Sequence, residues 1–359
     1  MSFLSKDRFE AMQTKLAASY NVKTVTEMFN LEVPKAVALI NAVQQSIAFL
    51  QMVSIINVTD TKGDIVTLHA PTSIAGRTDT TSADKERVAQ VVGNKTARTY
   101  ETVQTNFDIA LRYSDVDAWR RFSDYDRRIL AMIYRRIGLD QLLIGWYGKS
   151  CAKDTNRTTN PLLQDVNFGW LYDLYTNKPE NYVKAETGKK LQLGKGGDWN
   201  NLDQLAYELL TLIPEENRTG NEMVLVGRRI VAWESGKIFE VHGQTPSEKT
   251  KFALLSKTYG GLPAITPACF PDNGVMVTDP ANLQIYIQEG SLRRQLIDNP
   301  KRDQIEHYQS QNECYRISDL DAAAAVNYED IEFVSNSTTG SSDQGGGSEQ
   351  GGGTGEQGA

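Results

Sequence analysis

Along the chain, apolar residues recur with helical spacing in three regions and alternate strictly in one. Phe3, Leu4, Phe9, Met12 and Leu16 sit three to five residues apart among charged neighbours, apart from the adjacent Phe3–Leu4 pair, which predicts an N-terminal helical arm. After Pro34 the stripe Val37, Ile40, Val43, Ile47 and Leu50 predicts a stronger amphipathic helix with a core to face. "VSIINVTDTKGDIVTL" (53–68) reads as two β-rich runs around a polar turn at Asp60–Gly63, hence as a strand pair. In "VQTNFDIALRY" (103–113) Val103, Thr105, Phe107, Ile109, Leu111 and Tyr113 share one face, and Gln104, Asn106, Asp108, Ala110 and Arg112 share the other. This is the clearest strand in the sequence.

Between these strands the apolar pattern fails. From His69 to Thr99 the large apolar side chains are only Ile74, Val88, Val91 and Val92, too few to bury a core. A loop of that length in a compact domain is uncommon and usually functional or disordered. Beyond the alternating strand, Ser114 and Asp115 are expected to cap a helix over 115–148, buried through Val116, Trp119, Phe122, Ile129, Ile133 and Ile137. Such a helix would be about 50 Å long. "NPLLQDVNFGWL" (160–171) reads as a further helix start, with Asn160 as cap and Pro161 at the first helical position. Residues 161–320 then mix helical and strand patterns as an α+β domain. From Ser335 the composition turns to Gly, Ser, Thr and Gln, which cannot bury apolar area and is expected to stay disordered.

Composition narrows the functional classes. The chain has 359 residues, 40% of them hydrophobic, enough for two domains or one with extensions. Its formal net charge of −7 argues against a protein that coats nucleic acid through a broad basic surface. Cys151, Cys269 and Cys314 lie far apart and fit no metal spacing, so free thiols in a reducing cytosol are expected. Charges at Lys6, Asp7, Arg8, Glu10 and Lys15 interrupt any leader-like apolar run, and no stretch is long enough to span a bilayer, so no membrane contact is expected.

Candidate chemistry is sparse. "LGKGGDW" (193–199) offers glycines beside Lys195, but it lacks the GxxxxGK[ST] pattern and any Ser or Thr to hold magnesium. A nucleotide-dependent enzyme built on Gly194–Gly197 remains one alternative. His69, His242 and His307 are isolated from one another and from the cysteines, and no cofactor or metal site is expected. The doublets Arg120–Arg121, Arg127–Arg128 and Arg135–Arg136 stand out on the long helix. Arg121, Arg128 and Arg135, spaced by seven, drift only about 20° per step and form one basic stripe. Pairing with Asp117 and Asp124 four residues earlier is the plain reading; a subunit-facing or DNA-facing stripe, as in a DNA-binding module, is the other.

A terminal arm, a long polar loop with β edges, one alternating strand, a very long helix and an α+β domain follow the order of a tailed-phage major capsid protein. "SIAGRTDTT" (73–81), "NFDIALRYSDVDAWRRFSDYDRRI" (106–129), "NRTTNPLLQDVNFGWL" (156–171), "GKGGDWNNLDQL" (194–205), "VGRRIVA" (226–232), "GGLPAITPACFP" (260–271), the run from Asn282 to Tyr315, and "NYEDIEF" (327–333) resemble the capsid proteins of P-two-like phages (peduoviruses) over about residues 30–334.

That resemblance implies the Hong Kong ninety-seven type fold. It would divide into an N-arm and first helix (1–45), a P-domain entry strand (46–57), an E-loop (58–104), a P-domain with a spine helix (105–160), an A-domain (161–314), a return to the P-domain (315–334) and the Gly-rich tail (335–359). It implies an icosahedral shell of hexamers and pentamers around double-stranded DNA held by non-specific contact, a scaffolding protein and a portal protein as partners, and assembly in the host cytoplasm without enzymatic activity. Arg77, Asp79, Lys85 and Arg87 become E-loop contact candidates, Arg121, Arg128 and Arg135 subunit-facing or DNA-facing candidates, and Met28, Phe29, Asn30 and Leu31 candidates for a processing boundary.

Overall fold

The computed structural model describes residues 3–65, 75–78, 80–81, 86–89, 98–119, 124–242 and 258–334. Within them the long strand Gln304–Ile317 organises a seven-stranded sheet. Leu283–Gln288 and Arg293–Asn299 run antiparallel along one of its sides, and Val103–Asn106 and Ile109–Arg112 along the other, so that His307 stands opposite Leu296 on one flank and Ile109 on the other. Ser54–Val58 and Phe29–Asn30 extend the sheet at the outside.

The second sheet has six strands in the order Thr258–Tyr259, Leu262–Ile265, Met223–Val226, Val275–Thr278, Ala323–Val326, Tyr182–Val183. Its central strands are buried on both faces, which is why they read as unbroken apolar runs. Val224, Val226, Val275, Val277, Ala324 and Val326 face one core, while Leu225, Met276, Ala323 and Ala325 face the main core.

Helix α1 (Phe3–Tyr20) forms where the N-terminal periodicity predicts a helix, and Phe9 and Met12 are buried in the main core of the same subunit. Helix α2 (Val33–Gln45) carries Pro at its first turn and buries Ala36, Leu39, Ile40 and Val43. Ile47 and Leu50 are buried just past its end. The alternation over 103–113 holds: the odd positions are buried or half-buried and the even positions exposed.

Three expectations are corrected. Among the described residues the runs around Asp60–Gly63 do not pair with each other: Ser54–Val58 joins Leu283–Gln288, and Lys62–Asp64 pairs with Thr99–Glu101. A tight hairpin signal was outweighed by the burial available beside a central strand. The single helix over 115–148 is described instead as α3 (Tyr113–Trp119) and α4 (Tyr125–Tyr147), because Asp124, at φ −101 and ψ 24, leaves helical geometry just before α4, its carboxylate drawn to Arg128 at 2.8 Å. Residues 120–123, including Arg121 and Phe122, lie outside the described residues.

The third correction concerns residues 160–169, which are turns. Asn160 donates its amide to Asp165 at 3.1 Å, Asp165 also accepts from the Asn156 N–H at 2.7 Å, and Leu163 adopts φ 59. Those bonds consume the cap, and a left-handed residue ends any helix begun there. Helix α5 starts only at Trp170 and runs to Asn177. The sheets also draw strands from both sides of the expected division between 161–314 and 315–334. Strands between Leu283 and Ile317 belong to the first sheet, whereas Ala323–Val326 lies in the second and Ile331–Phe333 pairs with Leu191–Leu193. Sheets recruit strands from distant sequence positions, so a cut along the chain cannot follow them. The tail 335–359 and the loop positions 66–74, 79, 82–85 and 90–97 lie outside the described residues.

Candidate functional site

The block 160–171 has a packing role. Trp170 is fully buried against Trp146 and Tyr315, ring centroids 4.8 and 5.7 Å away, and its indole donates to the Gln284 carbonyl at 3.0 Å. Asn167 donates to the Glu313 carbonyl at 2.8 Å. A Cβ on Gly169 would stand 2.4 Å from the Ile144 carbonyl oxygen, so only glycine lets the chain pass the last turn of α4 (Tyr125–Tyr147). The block seats α5 (Trp170–Asn177) at the meeting of α4 and the first sheet.

The Gly194–Gly197 turn has little left for a phosphate. Gly194 N–H donates to the Trp199 carbonyl at 2.7 Å, Gly197 N–H to the Gly194 carbonyl at 2.9 Å, and Gly196 N–H reaches Asn200 at 3.4 Å. A phosphate cradle needs free backbone amides, and these are engaged within the turn. Among the described residues no three His, Cys, Asp or Glu side chains cluster to hold a metal ion. Cys151, Cys269 and Cys314 are all free thiols. Among the described residues no helix is long and apolar enough to cross a membrane.

On α4, Ile129, Ile133 and Ile137 face the core and Arg128 and Arg135 are exposed on the other side. Arg128 pairs with Asp124 at 2.8 Å, and that guanidinium holds the Asp124 carboxyl below the usual carboxylate range. Arg136 pairs with Asp140 at 2.6 Å. The stripe is therefore exposed where it is described, and Arg121 lies outside the described residues. Of the loop candidates, Arg77 and Arg87 are exposed, while Asp79 and Lys85 lie outside the described residues. Met28 is exposed, Phe29 and Asn30 pair with Arg294 and Arg293, and Leu31 is buried with its N–H on the Leu292 carbonyl at 3.0 Å.

Two residues that sequence reasoning missed hold the root of the polar loop. Arg98 donates to Asp173 at 2.5 Å and to the Ile317 carbonyl at 2.8 Å, and Asp173 on α5 is almost fully buried. Beside them Tyr100 stacks on Tyr286, centroids 4.8 Å apart. Half of the signal was legible: an aspartate inside the aromatic run "WLYDLY" is tolerated in a core only when paired, but nothing near it names the partner.

This geometry, two sheets joined by a packed helical seam, matches a solved procapsid subunit. The chain superposes on a subunit from "Satellite phage P4 procapsid including size determination (Sid) protein" with a TM-score of 0.74 and 30% identity, covering 93% of this chain and 99% of that one. The fold is thus that of tailed-phage major capsid proteins, the Hong Kong ninety-seven type. The family model described as "Phage major capsid protein, P2 family" matches residues 8–328, and the chain belongs to that family. It is 30% identical over 334 residues to the "Capsid proteins" of Escherichia phage P2, covering 89% of this chain and 92% of that relative. It is also 25% identical over 297 residues to the "Major capsid protein" of Serratia phage KSP20, covering 79% and 84%. A major capsid protein is a subunit of the virion shell, and its working surfaces are those that meet other copies.

Proposed function

We propose that copies of this chain assemble as hexamers and pentamers, with a scaffolding protein and a portal protein, in the host cytoplasm. The product is an icosahedral shell that holds double-stranded DNA by non-specific contact. The observation that carries this reading is the agreement with a procapsid subunit over 99% of that subunit's length. Residues 58–104 act as the E-loop, lying over a neighbouring subunit through Arg77, Asp79, Lys85 and Arg87. Arg121, Arg128 and Arg135 face a neighbour or the packaged DNA. Residues 1–45 form the arm that contacts the scaffold, and Met28–Leu31 marks a processing boundary at which Met28, 55% exposed, and Asn30 are the accessible residues. The chain is not an enzyme; the internal use of the Gly194 and Gly197 amides supports that reading.

Electron microscopy of the purified chain tests the reading. Shells, tubes or capsomer rings are expected, and a subunit that stays monomeric while binding a nucleotide would overturn it. Mass spectrometry of subunits from mature particles tests the boundary: an intact start at Met1 or Ser2 would remove it.

A further inference from the structure

Both ends of the polar loop meet at one point, where the Ile65 N–H donates to the Arg98 carbonyl at 2.9 Å. From there the Arg98 side chain reaches two different elements, Asp173 on α5 (Trp170–Asn177) at 2.5 Å and the Ile317 carbonyl at the end of the long strand at 2.8 Å. Its side chain is 14% exposed and that of Asp173 is 1% exposed. A guanidinium has the planar fork to span two acceptors and so fixes direction as well as distance.

The carboxylate is held independently of the loop. Asp173 also accepts from the Ile317 N–H at 3.0 Å and from Asn177 at 2.9 Å, and Arg316 lies 3.5 Å away. Around it Trp170, Leu171 and Leu174 are buried in the main core, so α5 is a fixed platform. Loss of Arg98 would leave Asp173 with a positive neighbour and two hydrogen bonds. The fold keeps its anchor, and the loop root keeps its strand pairing and the Tyr100–Tyr286 stack but loses the side-chain bond that fixes its direction.

We propose that Arg98 is a positioning residue for assembly: clamped to Asp173, it sets the direction in which the loop leaves the subunit, and thereby the angle between neighbouring copies and the curvature of the shell. This rests on the reading of the loop as the element that crosses to a neighbour. Arg316 supplies the internal control, because it shares the same carboxylate but is not part of the loop root.

The test uses the full chain with Arg98→Gln, with Arg316→Gln, and with residues 70–96 replaced by a short Gly/Ser linker, scored by subunit melting and by particle diameter and assembly threshold. Arg98→Gln is expected to melt close to the parent, yet to raise the concentration at which shells appear roughly tenfold and to give tubes or mixed diameters. Arg316→Gln is expected to give parental shells, and the linker variant none. Parental diameter and threshold from Arg98→Gln, or the same defect from Arg316→Gln, would overturn the proposal while leaving the loop reading intact. Normal shells from the linker variant would overturn the loop reading itself, and the proposal with it. If Arg98→Gln fails to fold, Arg98→Lys, which keeps the charge and loses the fork, carries the test with the same two outcomes.

Discussion

The six-stranded sheet buries apolar side chains on both faces, whereas the seven-stranded sheet hides Glu306, His307, Gln309, Gln311 and Glu313 along one strand. In the first, contacts are non-directional, and any side chain of the right volume would serve. In the second, Glu306, His307, Gln311 and Glu313 each meet particular side-chain partners, while the buried Gln309 amide makes no side-chain hydrogen bond. Glu313 accepts from Gln311 and Tyr315, each at 2.8 Å, and from Gln141 of α4 at 3.3 Å. His307 meets Arg294 at 2.7 Å, and Arg294 in turn donates to Tyr20 at the end of α1. The apolar sheet thus supplies stability without specifying neighbours. The polar strand dictates which helix docks where, and at what register.

Four experiments would break or sharpen that contrast. The largest effect is expected in the apolar sheet, where Leu225→Ala removes a fully buried side chain and should cost about 2–5 kcal/mol by denaturant unfolding. Next comes Glu313→Ala, which strands the donors of Gln141, Gln311 and Tyr315 and should cost about 1–3 kcal/mol. Glu313→Gln keeps the shape and should cost less. A larger loss from Glu313→Ala than from Leu225→Ala would reverse the assignment of roles.

The third effect is a pH dependence with opposite signs on one strand. Burial, then the Arg294 charge, pushes His307 down from 6.5 to about 3. The unfolded chain takes up that proton first, so the folded state loses stability as pH falls from 6.5 toward 3, by no more than about 1.4 kcal/mol per pH unit. Burial pushes the Glu313 carboxyl up from 4.5, so its contribution is fully present below that value and is lost as pH rises through the raised one. Denaturant midpoints at pH 7 and pH 4 should therefore converge between the parent and His307→Gln as the pH drops. A constant difference would mean that His307 titrates normally in the fold.

The smallest effect on the subunit is expected from changing Arg121, Arg128 and Arg135 together to Gln. Arg128 and Arg135 are exposed, and the melting point should move by no more than about 2 °C. Shell formation or DNA retention should suffer instead. A large drop in melting point with normal particle yield would make the stripe part of the subunit's own architecture.

Periodicity carried the local elements wherever one face had a single environment. The odd positions from Val103 to Tyr113 point inward, as alternation required, and Ile129, Ile133 and Ile137 are buried along α4, as helical spacing required. It failed where partners were distant. Nothing in "VSIINVTDTKGDIVTL" tells Ser54–Val58 to lie beside Leu283–Gln288 rather than beside its own hairpin mate. It also failed where a local rival won: Asp165, 5 positions on, takes the Asn160 amide that the helix reading assigned to a cap.

The candidate surfaces divide in the same way. The polar stretch after Ile65 and the arginine heptads were visible as composition and spacing. The clamp that roots the loop was not, because Arg98 and Asp173 are 75 positions apart. The sequence alone determined the elements set by near-neighbour periodicity, the family, and hence the kind of particle this subunit builds. Tertiary structure alone decided which strands share a sheet and which buried charge answers which. Those outcomes depend on pairing energies between segments far apart in the chain, and they exist only once burial has made an unpaired polar group expensive.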